Sequence, residues 1–295
     1  MTRLCIAFDR LRAEEKMLKS EAESLGCRVL MLDAKTAASS TDSAPGDVIP
    51  GGGCDVVLER CVSYFRGLHM TSVLESLDVR VINAYEVAAA CGNKMIMTLR
   101  LKRAGVSTPK THFAFSAEAA ESVMKDAGYP LVIKPVVGSW GRGVIPIRGP
   151  DTLAAILEAR SVTDGPFDRI FYLQEVIRRS EDAEGRTRDI RVITVGGEPV
   201  SAMYRMSAGG GFRANLALGG DPVACSMTPE MAELASAASD AVGGGILGVD
   251  MMEREDGRLV VHEVNNTVEF KGLSRVSERN IPKAMVQFAV DAARK

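Results

Sequence analysis

The chain has 295 residues, of which 46% are hydrophobic and 25% are charged, a balance typical of a globular protein with a sizeable core. Its 36 basic and 38 acidic side chains give a net charge of −2, which argues against nucleic acid or an anionic membrane surface as a partner. No apolar run could span a bilayer, the first strand follows Met1 directly, and six scattered cysteines lack a Cys-x-x-Cys pair, so we expect a cytoplasmic protein with reduced thiols.

The first 83 residues alternate short apolar segments with amphipathic ones. Strands are predicted at residues 4–8, 29–32, 56–58 and 79–82, and helices at 14–25 and 68–77. The segment 36–54 is rich in Ser, Thr, Gly, Ala and Pro and is predicted to be a surface loop. This alternation predicts a small doubly wound parallel sheet in a first domain of residues 1–83.

Two further modules, residues 84–169 and 170–295, have patterns unlike that of the first. The second is predicted to contain a helix at 86–104, an extended segment at 110–115, a helix at 118–127, a strand at 131–134 and a glycine-rich turn at 138–143. The third is predicted to contain strands at 170–177, 189–195 and 200–205, a helix at 229–241, a hairpin at 248–265 and a final helix at 281–293. Both modules therefore mix α and β structure.

The hairpin near the end of the chain carries a chemical signal. Asp256-Gly257 is a favourable two-residue turn, which would place Asp250 opposite Glu263 and put Asn265 on the same face. Facing carboxylates about 5 Å apart repel each other unless a cation lies between them, and oxygen ligands suit Mg²⁺ rather than zinc. A solvated hairpin with scattered acids is the alternative, but the neighbouring valines favour burial. We predict a metal site here.

The glycine-rich segment 138–143 could bring backbone N–H groups close to phosphate oxygens, because glycine lacks a blocking Cβ. It is neither a Walker loop, since no Lys-Ser/Thr follows, nor a dinucleotide fingerprint, since a strand comes next. Taken alone, it is better explained as an ordinary turn. Lys134, however, precedes it in an otherwise apolar strand, where a lysine rarely lacks a partner. We favour a phosphate contact for Lys134 over an extended surface lysine.

Several charged side chains are placed to share one sheet face. Asp189 and Arg191 lie on one predicted strand, Arg205 lies on its partner, and Arg213 and Asn215 follow at alternate positions. They could form a salt-bridged sheet surface. With the acidic hairpin, they also supply what activation of a carboxylate by ATP requires: basic groups for the γ-phosphate and the carboxylate, and acids for Mg²⁺. Such catalysis needs no nucleophilic side chain, and the sequence offers no Ser-His-Asp or Cys-His set.

The order of these motifs resembles the ATP-grasp superfamily over nearly the whole chain. The matching motifs are Lys94, Val132-Ile133-Lys134-Pro135, the 138–143 segment, Gln174-Glu175-Val176-Ile177, Asp189-x-Arg191, Gly248-Val249-Asp250 and Glu263-Val264-Asn265. Within it, the chain resembles the RimK-like LysX/ArgX ligases at Phe8-Asp9-Arg10, Glu14-Glu15-Lys16, Cys91-Gly92-Asn93-Lys94, Gly138-Ser139-Trp140-Gly141-Arg142 and Asn265-Asn266-Thr267-Val268-Glu269-Phe270. Those ligases attach an amino acid to the C-terminal glutamate of the small acidic carrier protein LysW, in lysine or arginine biosynthesis.

The resemblance implies an α/β (α+β) ATP-grasp fold, in which an N-terminal parallel-sheet pre-ATP-grasp domain precedes two α+β modules that sandwich ATP. It implies that Arg191 and Arg205 are catalytic and that Asp250, Glu263 and Asn265 bind two Mg²⁺ ions. The implied ATP ligands are Lys94 and Lys134, the covering loop Gly138, Ser139, Trp140, Gly141, Arg142, Gly143 and Val144, the adenine-pocket residues Gln174, Glu175, Val176 and Ile177, and Arg205 and Asn215 at the triphosphate end. The γ-phosphate would pass to the carrier's terminal side-chain carboxylate, and the amino acid would attack the acyl phosphate.

The resemblance leaves glutamate and α-aminoadipate as the incoming amino acid. It assigns substrate contacts to Asp189, Asn266, Thr267, Gly272 and Leu273. Gly272-Leu273 is closer to the Gly-Phe pair of the glutamate enzymes than to the Asn and small residue of the aminoadipate enzymes, which favours glutamate. One methylene gives only about 1–3 kcal/mol of discrimination, so the use of both is also consistent with the sequence.

Two other functions compete with carrier-protein ligation. A RimK-like ligase could add glutamate to another protein or a peptide by the same chemistry. A nucleotide sensor without catalysis should lack a metal ligand or a phosphate-binding lysine, and here none is missing. Arg178, Arg179, Arg186 and Arg188 could dock an acidic partner or form a solvated face. The resemblance also implies a homo-oligomer, either a dimer or a tetramer.

Overall fold

The computed structural model describes residues 1–163, 165–179, 185–207 and 222–294, which form three sheets. The first sheet is parallel, as predicted, and its strands have the order β2-β1-β3-β4. Its strands are β1 (Arg3–Phe8), β2 (Arg28–Asp33), β3 (Val56–Glu59) and β4 (Val81–Ile82), and its helices are α1 (Ala13–Ser24), α2 (Pro45–Val48) and α3 (Tyr64–Ser76). Leu4, Cys5, Ile6 and Ala7 are fully buried, as expected for a parallel sheet covered on both faces. The short α2 lies inside the segment predicted to be a loop.

The central sheet is antiparallel and has the order β5-β8-β6-β7. Its strands are β5 (Thr111–Ala114), β6 (Leu131–Lys134), β7 (Ile145–Ile147) and β8 (Phe171–Glu175), and its core includes residues of α6 (Ala117–Ala127) and α7 (Pro150–Ser161). Residues 170–177 were predicted to open the third module, but β8 pairs with β5 and β6 of the central sheet. This pairing places Gln174 opposite Val132.

The C-terminal sheet has five antiparallel strands in the order β11-β10-β9-β12-β13. They are β9 (Arg188–Val195), β10 (Glu198–Met206), β11 (Pro222–Ala224), β12 (Ile246–Glu253) and β13 (Leu259–Asn265). The predicted hairpin of residues 189–195 and 200–205 is confirmed as β9 and β10.

Helices cover both faces of this sheet. On one face, Val192 and Val249 share a core with α4 (Tyr85–Gly92), α5 (Lys94–Arg103) and α8 (Pro229–Val242). On the other, Ile193 and Met203 belong to a core that includes α9 (Lys271–Val276), α10 (Ile281–Ala292) and the buried face of α1. The alternation of side chains along β9 thus joins the C-terminal sheet to the N-terminal module. No helix in the described part of the chain is long and apolar enough to cross a membrane.

The single helix predicted at 86–104 is divided into α4 and α5 at Asn93. The backbone of Asn93 is extended, and its side-chain oxygen accepts hydrogen bonds from the N–H groups of Met95 (3.0 Å) and Ile96 (3.2 Å). These are the contacts of an N-cap, which satisfies donors that a helix start leaves free. The break makes Lys94 the first residue of α5.

The C-terminal hairpin pairs Asp250 with Glu263, as predicted, but it reaches this register differently. Glu253 pairs with Leu259, so residues 254–258 form the connection instead of the predicted two-residue turn. Gly257, with φ of 83°, donates its N–H to the carbonyl of residue 254 at 2.9 Å. A β-bulge then adds His262 to β13 and restores the predicted pairing.

Candidate active site

A cleft with a volume of about 310 Å³ is lined by residues of all three modules. The N-terminal module contributes the side chains of Arg12, Cys61, Val62 and Tyr64. The central sheet contributes the ends of β6 and β8 and the glycine-rich segment between β6 and β7. The C-terminal sheet contributes the charged ends of β9, β10, β12 and β13. The cleft therefore gathers residues that are far apart in the sequence.

Four ionisable side chains, three of them buried, form one network on the cleft face of the C-terminal sheet. Arg191 donates from Nε and Nη2 to the two carboxylate oxygens of Asp250, both at 2.7 Å. Arg205 donates in the same way to Asp189 at 2.6 and 2.8 Å, and its Nη2 lies 3.1 Å from Asp250 Oδ2. The strand register places Asp189 opposite Arg205 and Arg191 opposite Asp250, so sheet pairing itself builds the network.

Desolvation and ion pairing shift the pKa values of these buried groups in opposite directions. Burial raises the pKa of Asp250, but Arg191 and Arg205 outweigh it and hold the pKa of this carboxyl well below its usual range. Burial lowers the pKa of Arg205, but Asp250 and Asp189 outweigh it and raise the pKa above its ordinary value. Both groups therefore stay charged near neutral pH, since bidentate hydrogen bonds favour the ionised forms.

The predicted metal ligands lie together in the cleft. Asn265 Nδ2 donates to Asp250 Oδ2 at 3.1 Å, and Glu263 Oε1 lies 3.3 Å from Lys94 Nζ. Among the described residues, no group of three or more His, Cys, Asp and Glu side chains could hold a metal ion. Two carboxylates and one amide nevertheless fit Mg²⁺, which commonly takes one or two carboxylates and fills its other positions with phosphate oxygens and water.

Lys134 ends β6 and faces the cleft. Its Nζ donates to Gln174 Oε1 at 2.6 Å, and Gln174 Nε2 donates to the hydroxyl groups of Tyr172 at 2.8 Å and Thr111 at 3.0 Å. Burial, helped by Lys94 and opposed by Glu263, lowers the pKa of Lys134 to about 8. An ammonium that has lost water and hydrogen-bonds to an amide would gain from an anion bound beside it.

Lys94 links α5 to the glycine-rich segment. Its Nζ donates to the carbonyl of Gly138 at 2.6 Å, and its backbone N–H donates to the carbonyl of Val136 at 2.8 Å. The same ammonium lies near Glu263, so it contacts the covering segment and the acidic hairpin at once. Lys94 is therefore placed between the two predicted phosphate-binding and metal-binding elements.

The glycine-rich segment follows a path that side chains would obstruct. Gly138 has φ of 155°, and a Cβ there would lie 3.2 Å from Pro135 Cγ. The guanidinium of Arg142 lies 5.0 Å from the ring centroid of Trp140. The predicted covering residues that line the cleft are Gly138, Ser139, Trp140, Gly141, Arg142 and Val144. Gly143 lies beside this wall at φ of 69°.

The end of β8 and the residues after it form another wall. Gln174, Glu175, Val176 and Ile177 all line the cleft. Glu175 is ion-paired with Arg254 of the hairpin connection and accepts a hydrogen bond from the N–H of Lys110 at 2.7 Å. Burial raises the pKa of Glu175, but these hydrogen bonds outweigh it and lower the pKa. The pair ties this wall to the acidic hairpin.

A family model described as a RimK-like ATP-grasp domain matches residues 91–289, and one described as a LysX preATP-grasp domain matches residues 4–90. This chain belongs to the RimK-like ATP-grasp family. It is 32% identical over 284 residues to the alpha-aminoadipate–LysW ligase LysX of Sulfurisphaera tokodaii, covering 96% of each chain. It is 29% identical to the glutamate–LysW ligase ArgX of Sulfolobus acidocaldarius, covering 97% of each chain.

The fold is likewise similar to that of solved ATP-grasp enzymes. The ATP-grasp ligase PsnB, in a complex with a minimal precursor, Mg and ADP, has a TM-score of 0.71 at 16% identity, over 98% of this chain and 97% of PsnB. The resemblance and the fold class stated from the sequence are therefore confirmed. The chain is a member of a ligase family whose enzymes use ATP and typically Mg²⁺.

Some predicted site residues of this RimK-like chain lie elsewhere. Leu273 is fully buried in the core shared by α9 and α10, so its side chain cannot contact a ligand in the cleft. Gly272 precedes it in α9 and does not line the cleft. The structure therefore places this pair away from the cleft, because the hydrophobic pattern of α9 packs Leu273 into the core. Asp189, Asn266 and Thr267 do line the cleft, whereas Arg213 and Asn215 lie outside the described residues.

The residues predicted for the site omit several that line the cleft, including His262. His262 faces it from the β-bulge, its Nε2 has no hydrogen-bond partner, and burial lowers its pKa to about 3. Simple alternation in β13 would have turned His262 away from Glu263, and no sequence signal marks the bulge. Arg12 and Glu269 also line the cleft. Both lie in or beside motifs of the family, but only the fold brings them together.

Proposed function

We propose that this protein is an ATP-dependent, ADP-forming ligase that joins an acidic amino acid to the C-terminal glutamate side chain of the carrier protein LysW. The observation that carries the proposal is the cleft itself, where Lys94 and Lys134 lie beside the charged network of Arg191, Arg205 and Asp250. Relatives described as LysW ligases match nearly the whole chain, which supports the same conclusion.

In the proposed reaction, a carboxylate oxygen of the carrier attacks the γ-phosphorus of ATP, and the bond to the β,γ-bridging oxygen breaks to release ADP. The neutral α-amino group of the amino acid then attacks the acyl phosphate, the C–O bond to phosphate breaks, and an amide and inorganic phosphate form after the nitrogen loses a proton. Positioning and charge neutralisation can supply such catalysis without a nucleophilic side chain.

The residues divide these tasks. Lys94, Lys134 and the glycine-rich segment would bind the phosphates, and the wall formed by Gln174, Glu175, Val176 and Ile177 would contact the adenine. Asp250, Glu263 and Asn265 would hold two Mg²⁺ ions, which neutralise phosphate charge when bound. Arg191 and Arg205 would contact the γ-phosphate and the carboxylate, and Asn215 the triphosphate end.

We propose glutamate as the amino acid, which would place the enzyme in arginine biosynthesis. A specific observation favours α-aminoadipate as a second candidate, because the LysX relative is 32% identical to this chain and the ArgX relative is 29% identical. Support for glutamate comes from the ArgX relatives, which match 97% of this chain, and not from Leu273, whose side chain is buried in the core. Direct comparison of the two amino acids is therefore the decisive measurement.

The test measures ADP release by the purified protein with ATP, Mg²⁺ and LysW, with glutamate or α-aminoadipate. We expect turnover that requires LysW and disappears when the carrier lacks its terminal glutamate. Turnover with α-aminoadipate alone would reject glutamate. ATP binding without turnover on either amino acid would reject the carrier assignment. Turnover on another protein or peptide would then indicate a different RimK-like ligase.

The proposal includes a cytoplasmic homo-oligomer, either a dimer or a tetramer. The six cysteines are free thiols, which is the state expected in a reducing compartment. Sedimentation of the purified protein would measure its oligomeric state, and fractionation of the native cells would test its location.

A further inference from the structure

Arg12 is a rigidly oriented cation at the edge of the cleft. Its Nη2 donates to Glu15 Oε1 at 2.7 Å and its Nε to Glu15 Oε2 at 3.2 Å, while its backbone N–H donates to the same Oε2 at 2.8 Å. Glu15 is fully buried, and Nη2 also donates to the carbonyl of Arg60 at 3.3 Å. These contacts fix one edge of the guanidinium and leave Nη1 directed elsewhere.

The partner of Nη1 is weakly held. Arg12 Nη1 lies 3.5 Å from Glu269 Oε1, at the limit of a hydrogen bond, and the Glu269 side chain is 42% exposed. The backbone beside Glu269 is anchored, because Val268 and Phe270 are fully buried and the carbonyl of Val268 accepts a hydrogen bond from Arg60 at 3.0 Å. The guanidinium of Arg12 and the backbone beside Glu269 are therefore both held in place. The ion pair between the two side chains is long and lies at the cleft.

Residues 1–83 offer no other charged side chain at the cleft that could replace Arg12 in its pair with Glu269. Arg12 is the only charged residue among the four that line the cleft from residues 1–83. The nearby start of α3 is not free for an anion, because Asp9 already accepts hydrogen bonds from the N–H groups of Val62 at 2.8 Å and Ser63 at 3.1 Å. Glu269 follows Asn265 by four residues, a span of at most about 14 Å, so the pair adjoins the acidic hairpin.

We propose that Arg12 and Glu269 form the subsite for the head group of the incoming amino acid. Arg12 binds its α-carboxylate and Glu269 binds its α-ammonium, replacing their loose contact with two charge-assisted hydrogen bonds. The bound ammonium loses one proton to water at this exposed site before the neutral nitrogen attacks the acyl phosphate. The subsite presents a cation beside an anion. This arrangement matches an amino acid, whose α-carboxylate and α-ammonium are joined to the same carbon. The inference rests on the proposed function, because it supplies the amine for the acyl phosphate.

The test separates the two half-reactions. Hydroxylamine is a neutral amine without a carboxylate, so it can trap the acyl phosphate as a hydroxamate without using the subsite. For Glu269→Gln we expect the KM for the amino acid to rise about 10- to 100-fold, as for loss of a hydrogen bond between charged groups. Hydroxamate formation and the KM for ATP should stay within about twofold of the unmodified enzyme, the threshold we set for no effect.

Two variants complete the design. Arg12→Lys keeps the charge but loses the fork to Glu15, so it should raise the same KM, and thermal unfolding would report any loss of folded protein. Arg3→Gln is the matched control, because Arg3 has a similarly long contact of 3.4 Å with Asp55 and does not line the cleft. It should leave every kinetic constant unchanged.

An unchanged amino-acid KM in Glu269→Gln, or an equal fall in hydroxamate formation and amide formation, would overturn the subsite. Absence of hydroxamate with the unmodified enzyme and LysW would instead overturn the carrier assignment. Calorimetry of glutamate and α-aminoadipate binding to the nucleotide-bound enzyme provides an independent test of whether Glu269 contributes to amino-acid binding. Weaker binding to Glu269→Gln of whichever amino acid binds supports the subsite, whereas equal affinity, or no binding of either by the unmodified enzyme, rejects it.

Discussion

One face of the C-terminal sheet has two halves that are equally buried and chemically opposite. At one end, Ile193 and Ile246 are buried in the core that reaches α10 and α1. At the other, Asp189, Arg205 and Asp250 carry ionisable groups, yet these residues are only 4%, 5% and 2% exposed. The two halves lie on the same strands, at alternate positions of one register.

The comparison shows that burial alone does not distinguish a core from a site. Apolar burial stabilises at about 25 cal/mol per Å², whereas burial of a charge costs free energy that ion pairs only partly return. The charged half is therefore a poor source of stability for its area. Its bidentate geometry instead orients guanidinium groups toward a cleft in which a substrate phosphate would compete for them.

Asp250→Asn should have the largest effect and would sharpen this contrast. It leaves Arg191 without its carboxylate partner and removes a proposed metal ligand, so we expect kcat/KM to fall roughly 100- to 1000-fold, the scale of losing one electrostatic contact to a transition state. Steady-state ADP release measures the effect. Retention of more than about a tenth of the activity would be a fall much smaller than the expected 100-fold. It would argue against a functional role for the charged half.

Ile246→Ala tests the apolar half of the same face. Loss of this buried side chain should reduce the free energy of unfolding by about 2–5 kcal/mol, because a cavity remains in the core. Activity per folded molecule should hardly change. Urea denaturation and ADP release on the same preparation provide both values. A large loss of activity in the folded protein would break the proposed separation between the two halves.

Lys134 offers a third case, a half-buried cation that hydrogen-bonds to an amide rather than to a carboxylate. Its pKa of about 8 means that the free protein loses this charge above pH 8. Bound phosphates should raise that pKa, so nucleotide binding should take up about one proton near pH 9, much less at pH 7, and weaken as pH rises.

Calorimetry in buffers of different ionisation enthalpy measures this uptake. Lys134→Arg should abolish it, because a guanidinium stays charged over this range. Lys102→Arg, at an exposed position of α5, is the matched control. Equal proton uptake by the Lys134→Arg variant and the unmodified protein would assign the titration to another group.

Local sequence patterns were sufficient for the parallel sheet, the antiparallel β9–β10 pair and the facing of Asp250 and Glu263. Alternation, turn residues and the types of side chain in a motif are properties of neighbouring residues, so they can be recognised without the fold. The turn prediction for the last hairpin was wrong in detail, but the bulge at His262 compensated for it.

By itself, the sequence determined the family, the ATP-grasp fold class and most residues of the cleft, because these follow from ordered motifs with recognisable chemistry. Only the tertiary structure decided that β8 joins the central sheet, that Leu273 is core, and that Arg191 pairs with Asp250. It also brought Arg12 to Glu269 across 257 residues of sequence. Such contacts depend on how whole elements pack, and no local pattern specifies which distant side chain will be the neighbour.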